Sequence, residues 1–476
     1  MSQLKYLAVQ DTIKKILSLG LFVLLAKYLS TEDFGKYHQI ILLTSMFILF
    51  FSAGTPMAVS YYHGHMNQYR SKILMYKRFF LTQGILAFAG ALIFYLSASF
   101  FSNLFKNDYI FELAVVMTII IFFNIHTSFF KSLATVTTQL KFFMLATSFL
   151  TLFSTIISLS LLIYTKNMTY LIVVLALLAF VTFCILVKKN LKYFRYKAKF
   201  QLAKKQEFYY IVMMSSVSLV TVLNTYIDQI MVSIMLPLEA YANLRIGSFQ
   251  IPFIGIISGS LLTIMVPIIS RYYVEGKYIN IVHVWRMSIE KATILLIPII
   301  IFCLVFAEEI IVGFFGEKYI GAGIIFQIYM FQWLRAVIIL GGVMGAIGLE
   351  KELFKNTAYI AVLNIVGNYI MILFFGVVGA AITTTVLNYT ALGLLVKKIN
   401  KRLSINFFEY FPAKVYFISL GISTILALAI KYFLLGNLDS IGYLILLALL
   451  FYILTLIIQM KIIYNDVTLK RVKSLL

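Results

Sequence analysis

The chain has 476 residues, of which 62 % are hydrophobic and only 12 % charged, about half the charged share of an ordinary soluble protein. Its net charge of +22 does not require a nucleic-acid partner, because membrane proteins collect Lys and Arg on their cytoplasmic loops. Its two cysteines, Cys184 and Cys303, both lie inside apolar runs, which excludes a disulfide framework and a cysteine metal cluster.

Apolar runs of about twenty residues recur from end to end, each long enough to cross ~30 Å of hydrocarbon at ~1.5 Å per helical residue. They predict helices near 10–30, 38–62, 79–101, 109–131, 142–164, 168–188, 209–236, 243–270, 287–306, 322–348, 356–376, 377–397, 413–435 and 440–462. The fold class is therefore an all-α polytopic membrane protein of about fourteen transmembrane helices. Residues 1–30 lack a small-residue cleavage site and run into a full span, so no cleaved signal peptide is expected. The shortest connection, near Gly376–Gly379, separates the eleventh and twelfth helices.

With the N-terminus placed in the cytoplasm, the inner segments hold thirty-two of the 40 basic residues, eight of them between Lys188 and Lys205. The outer segments hold six: Lys27, Lys36, Lys106, Lys166, Lys318 and Lys431. Arg245 and Arg335 fall inside spans. This bias orients both termini to the cytoplasm and puts the inner loops near anionic headgroups of membrane lipids. The basic loop divides the chain into an N-terminal six-helix half (1–190), a cytoplasmic linker (191–208), a C-terminal six-helix half (209–400) and a final pair of helices with a cytoplasmic tail (401–476).

A weak repeat crosses that divide. Leu29-Ser-Thr-Glu-Asp-Phe-Gly-Lys-Tyr-His38 aligns with Leu236-Pro-Leu-Glu-Ala-Tyr-Ala-Asn-Leu-Arg245 at an offset of 207, each segment being the outer turn after the first helix of a half. Both following helices carry Pro and end in a Tyr-Tyr pair, Tyr61-Tyr62 and Tyr272-Tyr273. An even number of spans per half makes the halves parallel, with a pseudo-symmetry axis along the membrane normal. Such halves usually enclose a cavity.

At these residues the chain resembles the polysaccharide-unit flippases of the multidrug/oligosaccharidyl-lipid/polysaccharide exporter superfamily. Ala26-Lys-Tyr-Leu-Ser-Thr-Glu-Asp-Phe-Gly-Lys-Tyr37 is similar to the family signature after the first helix. Tyr226-Ile-Asp-Gln-Ile-Met-Val-Ser233, with Glu239-Ala-Tyr241, resembles its seventh helix and turn, and Val378-Gly-Ala-Ala-Ile-Thr383 the start of its twelfth helix. The resemblance covers the whole chain and implies alternating-access flipping of undecaprenyl-diphosphate-linked oligosaccharides from the inner to the outer leaflet of the bacterial plasma membrane. The product would serve O-antigen, capsule or exopolysaccharide assembly, with a polysaccharide polymerase and chain-length proteins as the implied partners.

A doubly charged diphosphate crosses hydrocarbon only along a polar, cationic path, and Arg suits it through its donor fork. Arg245, a few residues into the eighth helix, is the first candidate, with headgroup snorkelling as the competing role. The resemblance extends here to the eighth helix of lipid II flippases, where an Arg stands at this point. Arg335, thirteen residues into the tenth helix, is the deepest basic residue, either in the cavity or in a buried structural pair. Lys15 and Lys27 bracket the first helix and occupy basic positions of the resembled families, or serve as interfacial anchors. His38, the repeat partner of Arg245, is a switchable donor or an interfacial His. Asp228, with Asn224 one turn away, is either a proton- or sodium-sensitive gate or half of a structural pair with Arg245. Asn124, His126, Thr127 and Ser128 form a polar patch on the fourth helix that faces other helices or the lumen.

Lipid II flippases typically carry an Arg-Asp pair in the first helix and an Arg pair in the second. Here Leu21-Phe22 stands near the first place, and Ile40–Tyr62 is uncharged, which argues for a polysaccharide repeat unit over lipid II. A drug or cation antiporter would favour an acidic lumen, against the two arginines and one aspartate found inside spans. A polytopic polymerase or glycosyltransferase would need long outer loops, which the chain lacks. No nucleotide-binding loop, metalloprotease motif or nucleophile elbow occurs, so no enzyme activity, metal or cofactor is expected. An H⁺ or Na⁺ gradient, the membrane potential or the product gradient would drive transport.

Overall fold

The structure, a computed structural model, describes residues 16–52, 54–195, 202–434 and 441–464. All regular elements among them are helical. The chain forms two compact units, residues 1–242 and 243–476.

The first unit begins with α1 (Ile16–Tyr28). It continues with α2 (Thr31–Ser52), α3 (Gly54–His65), α4 (Tyr69–Phe105), α5 (Tyr109–Glu112), α6 (Ala114–Val136), α7 (Leu140–Thr165), α8 (Met168–Phe194) and α9 (Lys205–Met235). The α10 helix (Leu238–Gly247) runs across the division. The second unit contains α11 (Pro252–Val274), α12 (Tyr278–Val305), α13 (Ala307–Phe315), α14 (Ala322–Trp333), α15 (Leu340–Ala346), α16 (Glu350–Leu403), α17 (Phe407–Tyr410), α18 (Ala413–Leu434) and α19 (Ile441–Tyr464). Twelve described helices are long and apolar enough to cross a membrane. One of these, α16, is two helices joined at Gly376, and α1 is a shorter apolar helix, so the count agrees with about fourteen. Large exposed side chains such as Leu96, Phe149 and Phe374 suit a lipid environment.

Local chemistry sets the ends. Ser30 caps α2 by accepting a hydrogen bond from the Asp33 amide at 3.0 Å, and Glu32 and Asp33 complement the positive helix end. Gly376 takes φ 57°, a left-handed value that lets the backbone reverse, and Gly367 on one arm then meets the Thr383 side chain on the other. The eleventh and twelfth helices are therefore a hairpin.

Two of the spans expected in the second half are broken. The eighth, expected at 243–270, is α10 followed by α11, because Pro252 has no amide to donate and pushes Ile251 to ψ 117°. The tenth, expected to be continuous over 322–348, narrows to a 3₁₀ turn at Leu334–Ile338 and then reverses hand at Ile339, φ 51°. The freed Ile338 carbonyl accepts the indole N–H of the fully buried Trp285 at 2.8 Å, and Trp285 stacks on Tyr410 at 3.9 Å.

The aligned repeat segments meet in the first unit. Gly35, with no side chain, lets the Leu238 carbonyl approach its Cα, and the Tyr241 hydroxyl donates to the His38 carbonyl at 3.2 Å. Gln39 donates to Ser233 at 2.7 Å and accepts from Asn107 at 2.9 Å, holding α9 against α2.

Candidate functional site

The first unit contains a cavity of about 430 Å³ between α2, α6, α7 and α8. Its polar wall starts on α6. Asn124 stands three and four residues before Thr127 and Ser128, and these stand four and three before Lys131, which places all of them on one helix face. Thr44 and Ser45 of α2, Thr147 and Thr151 of α7, and Thr182 of α8 add to it. Ile41, Ile48, Ile120, Leu175 and Leu178 supply apolar surface. Among the described residues, no Asp or Glu lines the cavity, and Lys131 is its one charged residue.

The hydroxyls are polarised in one sense. Thr44 donates to the Ile40 carbonyl at 2.8 Å, Thr127 to Phe123 at 3.1 Å and Thr151 to Thr147 at 2.7 Å, each bonding back along its own helix. With the proton committed, each oxygen offers its lone pairs outward. The wall therefore accepts hydrogen bonds, as a hydroxyl-rich ligand such as a sugar requires. Asn124 donates one amide hydrogen to the Ile120 carbonyl at 3.0 Å and keeps a second donor and its carbonyl oxygen available.

Within the predicted polar patch, Asn124, Thr127 and Ser128 line the cavity, whereas His126 does not. The His126 ring packs against Phe80, Phe122 and Phe183, and Nδ1 pairs with the Phe122 carbonyl at 2.9 Å. His38 is likewise enclosed by the rings of Phe22, Phe34 and Tyr37, with centroids 4.4–5.2 Å away, and is not part of the cavity lining. Lys27 is exposed on α1, and Lys15 lies outside the described residues. Lys131, counted from sequence among the inner basic residues, is a cavity residue within a span.

Asp228 is buried on α9, its Oδ1 accepting the Gln229 amide at 2.9 Å, with half-buried Asn224 one turn earlier. Asp228 belongs to the first unit and half-buried Arg245 to the second. In the second unit, Arg335 stands in the broken turn between α14 and α15, and its Nη2 donates to Asn388 Oδ1 at 2.7 Å. Asn364 and Asn368, one turn apart on α16, are both buried, and neither stands among the residues predicted from sequence.

The family model described as "Polysaccharide biosynthesis protein" matches residues 3–273. No curated protein matches the sequence. Among solved structures, the chain is similar to the lipid II flippase MurJ in an inward closed conformation, at 18 % identity and TM-score 0.77, covering 96 % of this chain and 98 % of that one. It is also similar to an inward-facing multidrug resistance MATE family transporter of the MOP superfamily, at 12 % identity and TM-score 0.61, covering 82 % and 94 %. A MOP superfamily transporter from Pyrococcus furiosus gives 13 % identity and TM-score 0.60, covering 84 % and 94 %. At these identities the likeness is one of fold.

Proposed function

The chain belongs to the polysaccharide biosynthesis protein family, and from that premise we propose that it is a flippase, moving undecaprenyl-diphosphate-linked oligosaccharide repeat units from the inner to the outer leaflet of the bacterial plasma membrane by alternating access. Both termini are cytoplasmic in this proposal. The product feeds O-antigen, capsule or exopolysaccharide assembly, where a polymerase and chain-length proteins take it on. The observation that carries the proposal is the cavity, acceptor-rich and with one lysine and no carboxylate among its described lining residues. A lipid cation or a cationic drug would find no counter-ion among them, whereas sugar hydroxyls and a diphosphate would find partners.

The test is deletion of the gene and complementation with the full-length chain. Deletion should remove a surface polysaccharide, accumulate the lipid-linked repeat unit in the inner leaflet, and be reversed by the wild-type chain. Unchanged surface polysaccharide would remove the proposal. The MurJ-like fold brings a second substrate, lipid II, into view. Leu21-Phe22 and the uncharged stretch Ile40–Tyr62 speak against it. Lipid II transport would make deletion lethal through loss of peptidoglycan, while repeat-unit transport leaves cells viable but bare.

Asp228 is proposed as the coupling group for H⁺ or Na⁺. Inside a span, a buried carboxylate is costly unless a partner, an ion or a proton joins it, so its charge state is open to control by H⁺ or Na⁺. Asp228→Asn, which cannot ionise, should flatten the pH or sodium dependence of flipping in proteoliposomes. An unchanged dependence assigns Asp228 a structural role.

A further inference from the structure

Lys131 is a charge that a scaffold does not need. It lies in α6, five residues before the helix ends at Val136, and it lines the cavity with its side chain exposed. It forms no ion pair with any described carboxylate. A cation in a span is expensive unless an anion or water reaches it. An anion supplied by a ligand would offset that cost.

The cavity wall divides its donors from its acceptors. Thr44, Thr127 and Thr151 have committed their protons to their own helices. A diphosphate accepts hydrogen bonds and cannot donate them, so these oxygens do not suit it. Lys131, with three ammonium donors, does suit it, whereas Asn124, with one amide hydrogen to spare and its carbonyl oxygen open, suits a sugar hydroxyl. They stand seven residues apart on one helix, ~10 Å at 1.5 Å per residue. That stretch, with Thr127 and Ser128 between, can hold an anion at the Lys131 end and hydroxyls along the rest.

We propose that Lys131 is the anion end of a diphosphate–sugar subsite inside the N-terminal unit, with Asn124, Thr127 and Thr151 receiving the adjoining sugar. The assignment rests on the flippase proposal for its substrate class, and its recognition chemistry is that of a diphosphate. Nothing about the site requires the inter-helix geometry to change, so it is testable by binding alone.

The experiment measures binding of farnesyl diphosphate, farnesol and inorganic pyrophosphate to the purified full-length protein in nanodiscs. Farnesyl diphosphate should bind the wild type, and Lys131→Met should weaken it at least tenfold. Lys131→Arg should stay within about threefold, and farnesol should bind both proteins weakly and equally. Pyrophosphate competing at similar affinity would identify the free anion as sufficient, and pyrophosphate failing to compete would identify the lipid diphosphate as the ligand. Both outcomes keep the subsite. Equal farnesyl diphosphate affinity in wild type and a monodisperse Lys131→Met would overturn it, and would leave the flippase proposal standing if deletion still removes surface polysaccharide. Conversely, Lys131-dependent binding with unchanged polysaccharide on deletion would keep the site and remove the flippase proposal.

Discussion

Arg335→Ala should abolish polysaccharide export, lowering surface polysaccharide by more than tenfold at unchanged protein abundance in the membrane. The residue sits where the helix has lost its regular hydrogen bonding, in the 3₁₀ turn Leu334–Ile338 ahead of the left-handed Ile339. Irregular backbone at membrane depth is tolerated only where protein or a polar cavity receives it, and transporters place such breaks at their substrate paths. This break is held from three directions. Trp285 donates to the Ile338 carbonyl at 2.8 Å, Tyr389 to the Phe331 carbonyl at 2.8 Å, and Arg335 itself donates to Asn388 at 2.7 Å. Asn388 is fixed in turn by donating to the Thr384 carbonyl at 2.8 Å. One of the five guanidinium donors is thereby used for positioning, and Nε is buried without a hydrogen-bond partner among the described residues. An arginine held by one arm keeps the others for an anion. Arg335→Lys should recover only part of the export, because an ammonium cannot reproduce the planar fork. Asn388→Ala, which frees the guanidinium without removing it, should give an intermediate loss. Wild-type export in Arg335→Ala would make the residue a structural clasp.

Hydropathy made the spans legible because lipid imposes one rule on every helix, and helix length follows from it. The same rule hides the breaks. Apart from Arg335, Leu334–Ile339 is as apolar as its neighbours, and only backbone angles show that the helix stops there. Pro252 was the visible cue in the eighth span, yet its consequence at Ile251 depends on where the proline sits relative to the helix start. Within the cavity, the sequence exposed Asn124, Thr127 and Ser128 through polar residues in an apolar run. Lys131 escaped notice because a lysine near a predicted span end looks like a loop charge. His38 went the other way. Its position opposite Arg245 in the repeat offered a switchable donor or an interfacial His; of the rings around it, Phe34 lies one turn earlier on the same helix, whereas Phe22 comes from α1 and no local pattern connects it.

Glu207→Ala should destabilise the protein by ~3–5 kcal/mol, the usual cost of leaving one buried partner of an ion pair without the other. Arg78 and Glu207, 129 residues apart, meet side by side: Nη2 donates to Oε1 at 2.5 Å and Nε to Oε2 at 3.2 Å, with side chains 9 % and 5 % exposed. Glu207 does more than neutralise Arg78. Its Oε2 also accepts the Lys204 amide at 2.8 Å and so closes the start of α9. Beside it, Thr82 accepts the Ala203 amide at 3.0 Å, tying the same approach to α4. The surroundings are apolar, with Met75, Phe79, Leu140 and Ile211 all buried in one cluster, so a lone guanidinium there finds no water to replace the carboxylate. A double-mutant cycle separates the charge from the cap. Glu207→Gln keeps one oxygen for the Lys204 amide but loses the charge and one of the two acceptors facing Arg78, so it should fall between wild type and Glu207→Ala. Arg78→Met together with Glu207→Gln removes both charges and should recover at least half of the loss seen in Glu207→Ala, because a buried pair is replaced more cheaply than it is broken. The measurement is thermal unfolding of the detergent-solubilised protein, followed by loss of the monodisperse species. Additive losses in the double variant would show that Arg78 and Glu207 act separately, and that the start of α9 is held by its cap and by Thr82 alone.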